Sequence, residues 1–450
     1  MIRKPVIFPV VLLILAAMSG LATSPASASS RPPSQPSVDA PELARLGPYA
    51  VGLKRFDLTQ AAQADLAQLN AATGVAPIID RVLPIRLWYP ARASAGATRV
   101  AYSGTLPAEK AVQPPVRIAA AGVAVLDAAP VTGQRFPLVI LSHGYSGAPE
   151  AMTWLAENLA SKGYVVVGIS HRDPPYGDPR GFAGPLLRRP LDQAFVARTL
   201  LARVRAGDGF LSGLIDPERM ALIGYSMGGY GVLTEATGGF DPAGSPAQAL
   251  PQRYIGPYLP GGALREEEKI GGLKAVVAIS PFTGRPGAPA LSPTALGAIR
   301  APLLLIAGDQ DQTVGFAGVK AVFDQAVHAP RRLLVFHQAG HSIGMNPSTG
   351  DETTLWGLDW FEDPVWRKDR IIGVSLHMIT AFLDLYVKGD ESRAAYLDVA
   401  TPESDDAVWP AASAGAYGAY SPGAAPITVW KGFQRVHDAG LELLRGDAAP

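Results

Sequence analysis

Residues 216–229 read DPERMALIGYSMGG, and the fold turns on this stretch. Met220–Gly224 is a short unbroken apolar run, the pattern of a strand buried on both faces. Gly224-Tyr225-Ser226-Met227-Gly228 then forms G-x-S-x-G, with Gly229 beyond. A helix is expected from Ser226 to about Ala236. A serine between a strand and a helix, flanked by residues without side chains, fits a strained turn that pushes its hydroxyl out past the sheet edge. The small flanks let strand and helix approach. The helix N-terminus favours negative charge developing beside the serine. A structural turn is the plainer reading of five residues alone; the strand before them and the further glycine after them favour the chemical one.

The flanking sequence repeats the alternation. Pro137–Leu141 (PLVIL), Tyr164–Ser170 (YVVVGIS), Lys274–Ser280 (KAVVAIS), Pro302–Ala307 (PLLLIA) and Arg332–Phe336 (RLLVF) read as further buried strands. Helical spacing covers Ala151–Lys162, Leu191–Val204 and Ile371–Val387. This order predicts an α/β protein with a mostly parallel central sheet covered by helices on both faces. In such sheets ligands meet the carboxyl ends of the strands. Upstream, 50–58 and 81–90 read as strands, 61–73 as a short helical insertion, and 91–133 as loop with one or two short strands. The Gly/Pro-rich insertion 237–272 is a candidate cap or cleft wall. Residues 401–426 look irregular, and ITVWKGF (427–433) reads as an ordered return.

A serine is a weak nucleophile, so a base and an orienting acid are needed, in the chain order Ser, acid, His for this architecture. His328 ends a predicted helix, His337 closes the last predicted strand and His377 is mid-helix, so each has a structural explanation. His341, in QAGHSIG (338–344), sits on a Gly-flanked loop after that strand and is the expected base. After the preceding strand, Asp309 follows Gly308 directly and suits closure of the turn. Asp311 lies further out and is the expected acid. The earlier strand runs into Ser280-Pro281-Phe282 and offers no carboxylate. PLVIL leads into Ser142-His143-Gly144-Tyr145-Ser146-Gly147, where the backbone N–H of Tyr145 is expected to join that of Met227 in holding an oxyanion. His143 is expected to brace this loop by hydrogen bonds.

Taken together, LVILSHGYSG (138–147), LASKGYVVVGISHRD (159–173), DPERMALIGYSMGG, AGDQDQTV (307–314) and GHSIG (340–344) resemble α/β-hydrolases of the platelet-activating-factor acetylhydrolase-like and dienelactone-hydrolase-like kind. That group is similar to bacterial secreted lipases and polyester hydrolases. GPYAVGLKRFDL (47–58) and LPIRLWYPA (83–91) resemble its first two strands, so the resemblance spans about 47–390. It implies the α/β-hydrolase fold, with Ser226 as nucleophile, Asp311 as acid, His341 as base, and Tyr145 and Met227 as oxyanion donors. The activity implied is carboxylic-ester hydrolysis without a metal or organic cofactor. Small-molecule, lipid and polymer esters all remain candidate substrates. Dienelactone hydrolases proper use a cysteine nucleophile, and this chain has no cysteine. Two other readings stand beside this one. A serine peptidase of the prolyl oligopeptidase type would carry a β-propeller, yet only about a hundred residues precede the PLVIL strand, without a blade repeat. A catalytically inactive hydrolase fold used for binding is disfavoured by the complete Ser, Asp, His order.

Trp356, Trp360, Phe361 and Trp366 are expected to pack the last helix on the sheet, with a cleft wall as the alternative. Asp351, Glu352, Asp359, Glu362 and Asp363 are expected to form a solvated loop, with a calcium site as the alternative. Across all 450 residues the missing cysteine excludes disulfides, Cys-based metal sites, a thiol nucleophile and a lipoprotein anchor. Thirty-nine basic against 39 acidic side chains argue against a nucleic-acid partner. Arg3 and Lys4, the apolar Val6–Ala17 and Ala26-Ser27-Ala28 form a signal-peptide pattern over 1–28. The apolar run is short for a spanning helix and contains Pro9. The expected organisation is thus signal peptide 1–28, flexible lead-in 29–46, one hydrolase domain 47–390 and a C-terminal extension 391–450. The expected location is secreted or periplasmic, with no stable membrane anchor after cleavage.

Overall fold

The computed structural model of the chain describes residues 31–93, 96–106, 115–174, 181–408, 427–434 and 436–449. Residues 1–28, expected to be a signal peptide, lie outside these. Among the described residues no helix is long and apolar enough to cross a membrane.

Strands in chain order are β1 (Ala50–Ala64), β2 (Ile78–Ala91), β3 (Arg99–Leu106), β4 (Val116–Leu126), β5 (Phe136–Ser142), β6 (Val165–Ile169), β7 (Ile215–Tyr225) and β8 (Leu273–Ile279). A separate small pair follows, β9 (Gly284–Arg285) and β10 (Ala288–Pro289), and then β11 (Leu303–Gly308), β12 (Arg331–Phe336) and β13 (Leu441–Gly446). Eleven of them form one sheet in the order β13-β12-β11-β8-β7-β5-β6-β2-β1-β4-β3. From β12 to β6 every neighbouring pair is parallel. The long helices are α1 (Thr153–Ser161), α2 (Ala183–Arg205), α3 (Met227–Ala236), α4 (Phe316–Gln325) and α5 (Lys368–Tyr386).

The continuous apolar strands serve two cores at once, because successive side chains point to opposite faces. Val139, Leu141, Ala221 and Ile223 pack with residues of α1 and α5. Leu138, Ile140, Met220 and Leu222 pack with residues of α2, α3 and α4 on the other face. Parallel strands place the ends of β5, β7, β11 and β12 along one sheet edge, so the loops that leave them meet there.

Three expectations are corrected. The helix over 61–73 is replaced by the far end of β1, which pairs with β2 as far as Ala64 and Ile78, and by one short turn, Leu66–Gln68. Partner-strand hydrogen bonds override the local preference of the Ala/Gln run. Residues 91–133 hold two strands, within the number expected, but β3 and β4 run to 8 and 11 residues and are not short. The flexible lead-in is packed from residue 31: Ser34 is fully buried and donates to Glu157 Oε2 at 2.8 Å, and Leu43 N donates to His377 Nδ1 at 3.1 Å.

The region 391–450 is not an appendage either. Val429, Trp430 and Phe433 are buried in the core that α5 helps form, so 427–433 is indeed ordered. β13 then adds antiparallel to β12, pairing Leu441 with Phe336 and Gly446 with Arg331. The boundary at 390 therefore divides no structural unit. The sheet would otherwise end on β12 with an open row of backbone donors and acceptors.

Candidate active site

Ser226 sits between β7 and α3 at φ 54° and ψ −116°, a conformation rarely adopted outside glycine. Its N–H donates to Ile279 O at 2.9 Å, and its carbonyl accepts from Tyr230 N at 3.0 Å and Phe282 N at 2.9 Å. These bonds hold the turn in place. The flanking glycines are required by space: a β-carbon on Gly224 would strike the Gly228 carbonyl, and one on Gly228 would strike that of Ser142.

The structure brings Ser226, His341 and Asp311 into one hydrogen-bonded line. His341 Nε2 lies 3.0 Å from Ser226 Oγ, and His341 Nδ1 lies 2.7 Å from Asp311 Oδ2. Ser226 is 7% exposed, and the Asp311 side chain is inaccessible. Asp311 Oδ1 accepts from the backbone N–H of Thr313 and Val314. Burial by itself would raise the Asp311 pKa; the bond and charge of His341 and these two amides outweigh it and hold the carboxyl below its usual range. Asp309 is occupied elsewhere, accepting from Gln338 N at 2.6 Å and meeting His337 Nδ1 at 3.0 Å.

The loop of His341 is clamped on several sides. Gly340 N donates to Asp363 Oδ2 at 2.7 Å, Tyr225 Oη to His341 O at 2.9 Å, and Lys368 Nζ to Ser342 O at 2.5 Å. Burial pushes the Lys368 ammonium down to about 7. The Tyr225 ring lies 5.2 Å from the imidazole, centre to centre.

Ser226 and Met227 open onto a cavity of about 720 Å³, which Tyr145, Phe182, Phe282 and Leu291 also line. Tyr145 and Phe182 stack with ring centres 5.3 Å apart. The aromatic wall of this cavity is thus built around Tyr145, and none of Trp356, Trp360, Phe361 and Trp366 lines it. Phe361 and Trp366 are core residues, with Trp366 edge-on to Phe336, and Trp356 meets Trp360 edge to face. No described lining residue comes from 237–272. That segment supplies Phe240, Leu250 and Ile255 to the apolar cluster that includes Met227 and Tyr230, with Tyr145 and Phe282 packed against it.

The acidic run near residue 351 serves backbone donors: Glu352 accepts from Thr349 N and Gly350 N, Glu362 from Ser348 N, and Asp363 from Val365 N and Trp366 N. Asp351 pairs with Arg117 at 2.9 Å. Among the described residues, His337, Glu403 and Glu442 form the group with metal-ligand geometry, their ligand atoms within 4.8 Å of one another. They join the end of β12 to β13, and none lines the cavity beside Ser226.

Four residues behind the Tyr145 loop escaped sequence reasoning: the buried His171, Arg189 and Asp192 and the half-buried Asp173, whose side chain is only 3% exposed. His143 does brace this loop. Its Nδ1 lies 2.7 Å from Gly144 O, and its Nε2 accepts the His171 backbone N–H at 3.2 Å. Burial, reinforced by nearby Arg189, holds the His143 pKa well below the usual value. The one available signal was the clustering of charge in HRD (171–173) and RRPLD (188–192), beside predicted core elements.

Sheet order, helices on both faces and the serine turn after β7 define the class: this is an α/β-hydrolase fold. Within that class, a family model described as PET hydrolase-like matches residues 107–241, which include the Tyr145 loop and Ser226. Cutinases est2 and est1 of Thermobifida alba are each 31% identical to this chain over 111 residues. Those residues are 24% of this chain and 32% and 33% of the two cutinases, so the match spans about a third of their length. A solved ferulic acid esterase from Streptomyces cinnamoneus is 20% identical with a TM-score of 0.49, covering 76% of this chain and 91% of its own.

Proposed function

We propose that the chain is a serine carboxylic-ester hydrolase, esterase- or lipase-like, working through an acyl-enzyme. The observation that carries this reading is the line from Asp311 through His341 to Ser226, ending at an apolar cavity. In this mechanism His341 takes the Ser226 proton as Oγ attacks the ester carbonyl, and Asp311 steadies the imidazolium. The Met227 and Tyr145 amides hold the oxyanion. His341 then protonates the leaving alcohol, and water repeats the sequence on the acyl-serine. Similarity to PET hydrolase-like proteins and cutinases favours esters over amides.

The test is turnover of p-nitrophenyl esters of increasing acyl length, and of peptide amides, by the wild type and by Ser226→Ala. Ester turnover that falls roughly 10,000-fold or more in the variant is expected. Absent turnover in the wild type, or equal turnover in both, would overturn the reading; turnover of amides alone would favour the peptidase. We further propose export by cleavage after Ala28 to the periplasm or medium. N-terminal sequencing of the exported protein is expected to begin at Ser29, and an intact Met1 would refute it.

A further inference from the structure

The loop that carries Tyr145 is held from behind by a buried guanidinium. Arg189, on α2, is fully buried. Its Nη1 donates to the carbonyl oxygen of His143, and its Nη2 donates to that of Gly144 at 2.8 Å. Nε and Nη2 also donate to the two carboxylate oxygens of Asp173. Asp173 in turn accepts the Ser146 backbone N–H at 2.8 Å. The guanidinium therefore joins three points of one short loop.

A trans peptide carries its C=O and N–H on opposite edges. With the Gly144 oxygen turned to Arg189, the Tyr145 N–H lies on the far edge of the same peptide. This peptide borders the reacting centre: a β-carbon added to Gly144 would lie 3.3 Å from that of Ser226, and Tyr145 lines the cavity onto which Ser226 opens. We propose that Arg189 is a positioning residue for oxyanion stabilisation: by holding the carbonyls of His143 and Gly144 it sets the Gly144–Tyr145 peptide with its N–H toward the reacting centre. This rests on the ester-hydrolase reading of Ser226.

Two further effects follow from the same contact. A cationic donor on the carbonyl polarises the peptide and strengthens its N–H as a donor. A peptide free to rotate would instead bring its oxygen toward the forming oxyanion and repel it. The fork of Arg is also needed, because a single ammonium does not span two carbonyls and a carboxylate in fixed directions. A buried guanidinium is costly, and apolar packing would serve stability alone at least as well.

The second donor is tied to the same frame. Met227 N–H follows the Ser226 carbonyl, which is anchored by Tyr230 N and Phe282 N. Pro190, next to Arg189, lacks the N–H that would bond Leu186 O within α2. Tyr230 Oη fills that place, donating to Leu186 O at 2.9 Å, and so ties α3 to the helix that carries Arg189.

The test compares Arg189→Lys, Asp173→Asn and Arg81→Lys with the wild type in p-nitrophenyl butyrate hydrolysis and phenylboronic acid inhibition, with melting curves for each. Arg81 pairs with Asp192 in the neighbouring buried network and touches none of the loop carbonyls. Arg189→Lys is expected to lower kcat about 100-fold, as when one oxyanion donor is lost, with KM within about threefold. Its affinity for the boronate, which forms a tetrahedral adduct on the serine, falls in step. Arg81→Lys is expected to lower the melting temperature with kcat within about threefold. If Arg189→Lys does not fold, Asp173→Asn, which loosens the same guanidinium, must show the same split between kcat and KM. A folded Arg189→Lys with kcat within threefold of wild type, or equal kcat losses in Arg189→Lys and Arg81→Lys, overturns the inference while ester hydrolysis stands. An inactive wild type overturns both.

Discussion

Among the described residues two Ser–His–Asp lines run through this fold, and the line that ends at Ser226 opens onto a cavity. Ser142 Oγ lies 2.9 Å from His171 Nε2, and His171 Nδ1 lies 2.8 Å from Asp192 Oδ2, with distances like those of the Ser226 line. Yet Ser142, His171 and Asp192 are all buried, and Asp192 is further engaged by a bidentate Arg81 at 2.8 Å. Burial, with Arg189 nearby, pushes His171 down to about 4, so this imidazole stays neutral and serves as a strut. What separates Ser226 is the strained turn, which the G-x-S-x-G pattern announces, and the cavity beside it. The choice between Asp309 and Asp311 was legible for a similar reason: the residue nearest the strand closes the turn, and the one two positions on can turn toward the histidine. Asp311→Asn is expected to lower ester turnover about 1,000-fold or more by disturbing the imidazole tautomer. Asp309→Asn should stay within about tenfold of wild type; a larger loss there than at Asp311 would reverse the assignment.

At the scale of elements, the strands buried on both faces were legible because their apolar runs need no knowledge of a partner. The outer strands were not. The far end of β1 is rich in Ala and Gln and becomes a strand only because β2 lies beside it. β13 reads LELLRG, too short to identify without β12. Arg189 is hidden by Pro190, since helical spacing in the sequence begins at Leu191 whereas α2 starts at Ala183 and continues through the proline. β13 also makes a measurable prediction. Leu443 is 1% exposed and sits in the core that α5 shares with the sheet. Leu443→Ala is expected to lower unfolding free energy by about 3 kcal/mol, read from urea denaturation. A loss below about 1 kcal/mol would mean that the C-terminal strand is loosely attached. Likewise, Glu157 gathers the N–H groups of Val123 and Ala124 with the hydroxyls of Tyr102 and Ser34. Glu157→Leu strands these buried donors at once and should cost at least about 3 kcal/mol in the same assay; an unchanged midpoint would refute that role.

Across the whole molecule, segments far apart in the chain meet on one buried histidine, at Leu43 and Lys431. His377 Nδ1 accepts Leu43 N–H from the N-terminal segment, and Nε2, 3.2 Å from Lys431 O, donates to the C-terminal one. Gly432, at φ 88°, passes so close that a β-carbon there would strike the ring. Both ring nitrogens are thus used by the neutral tautomer, and a second proton would face the Leu43 N–H. Burial pushes His377 down to about 3, while an unfolded histidine titrates near about 6.5. The folded state therefore binds fewer protons than the unfolded one once pH drops below that value. Its contribution to stability is complete above about pH 6.5 and is lost progressively as pH falls toward the folded value. At pH 5 the loss from this group alone is about 2 kcal/mol. His377→Gln keeps one acceptor and one donor without a titrating ring. Urea unfolding of wild type and variant at pH 7 and pH 5 should therefore show a pH-dependent loss smaller by about 2 kcal/mol in the variant. An equal loss in both would mean that the junction opens to solvent on acidification, and that the segments at Leu43 and Lys431 are not held by the neutral imidazole.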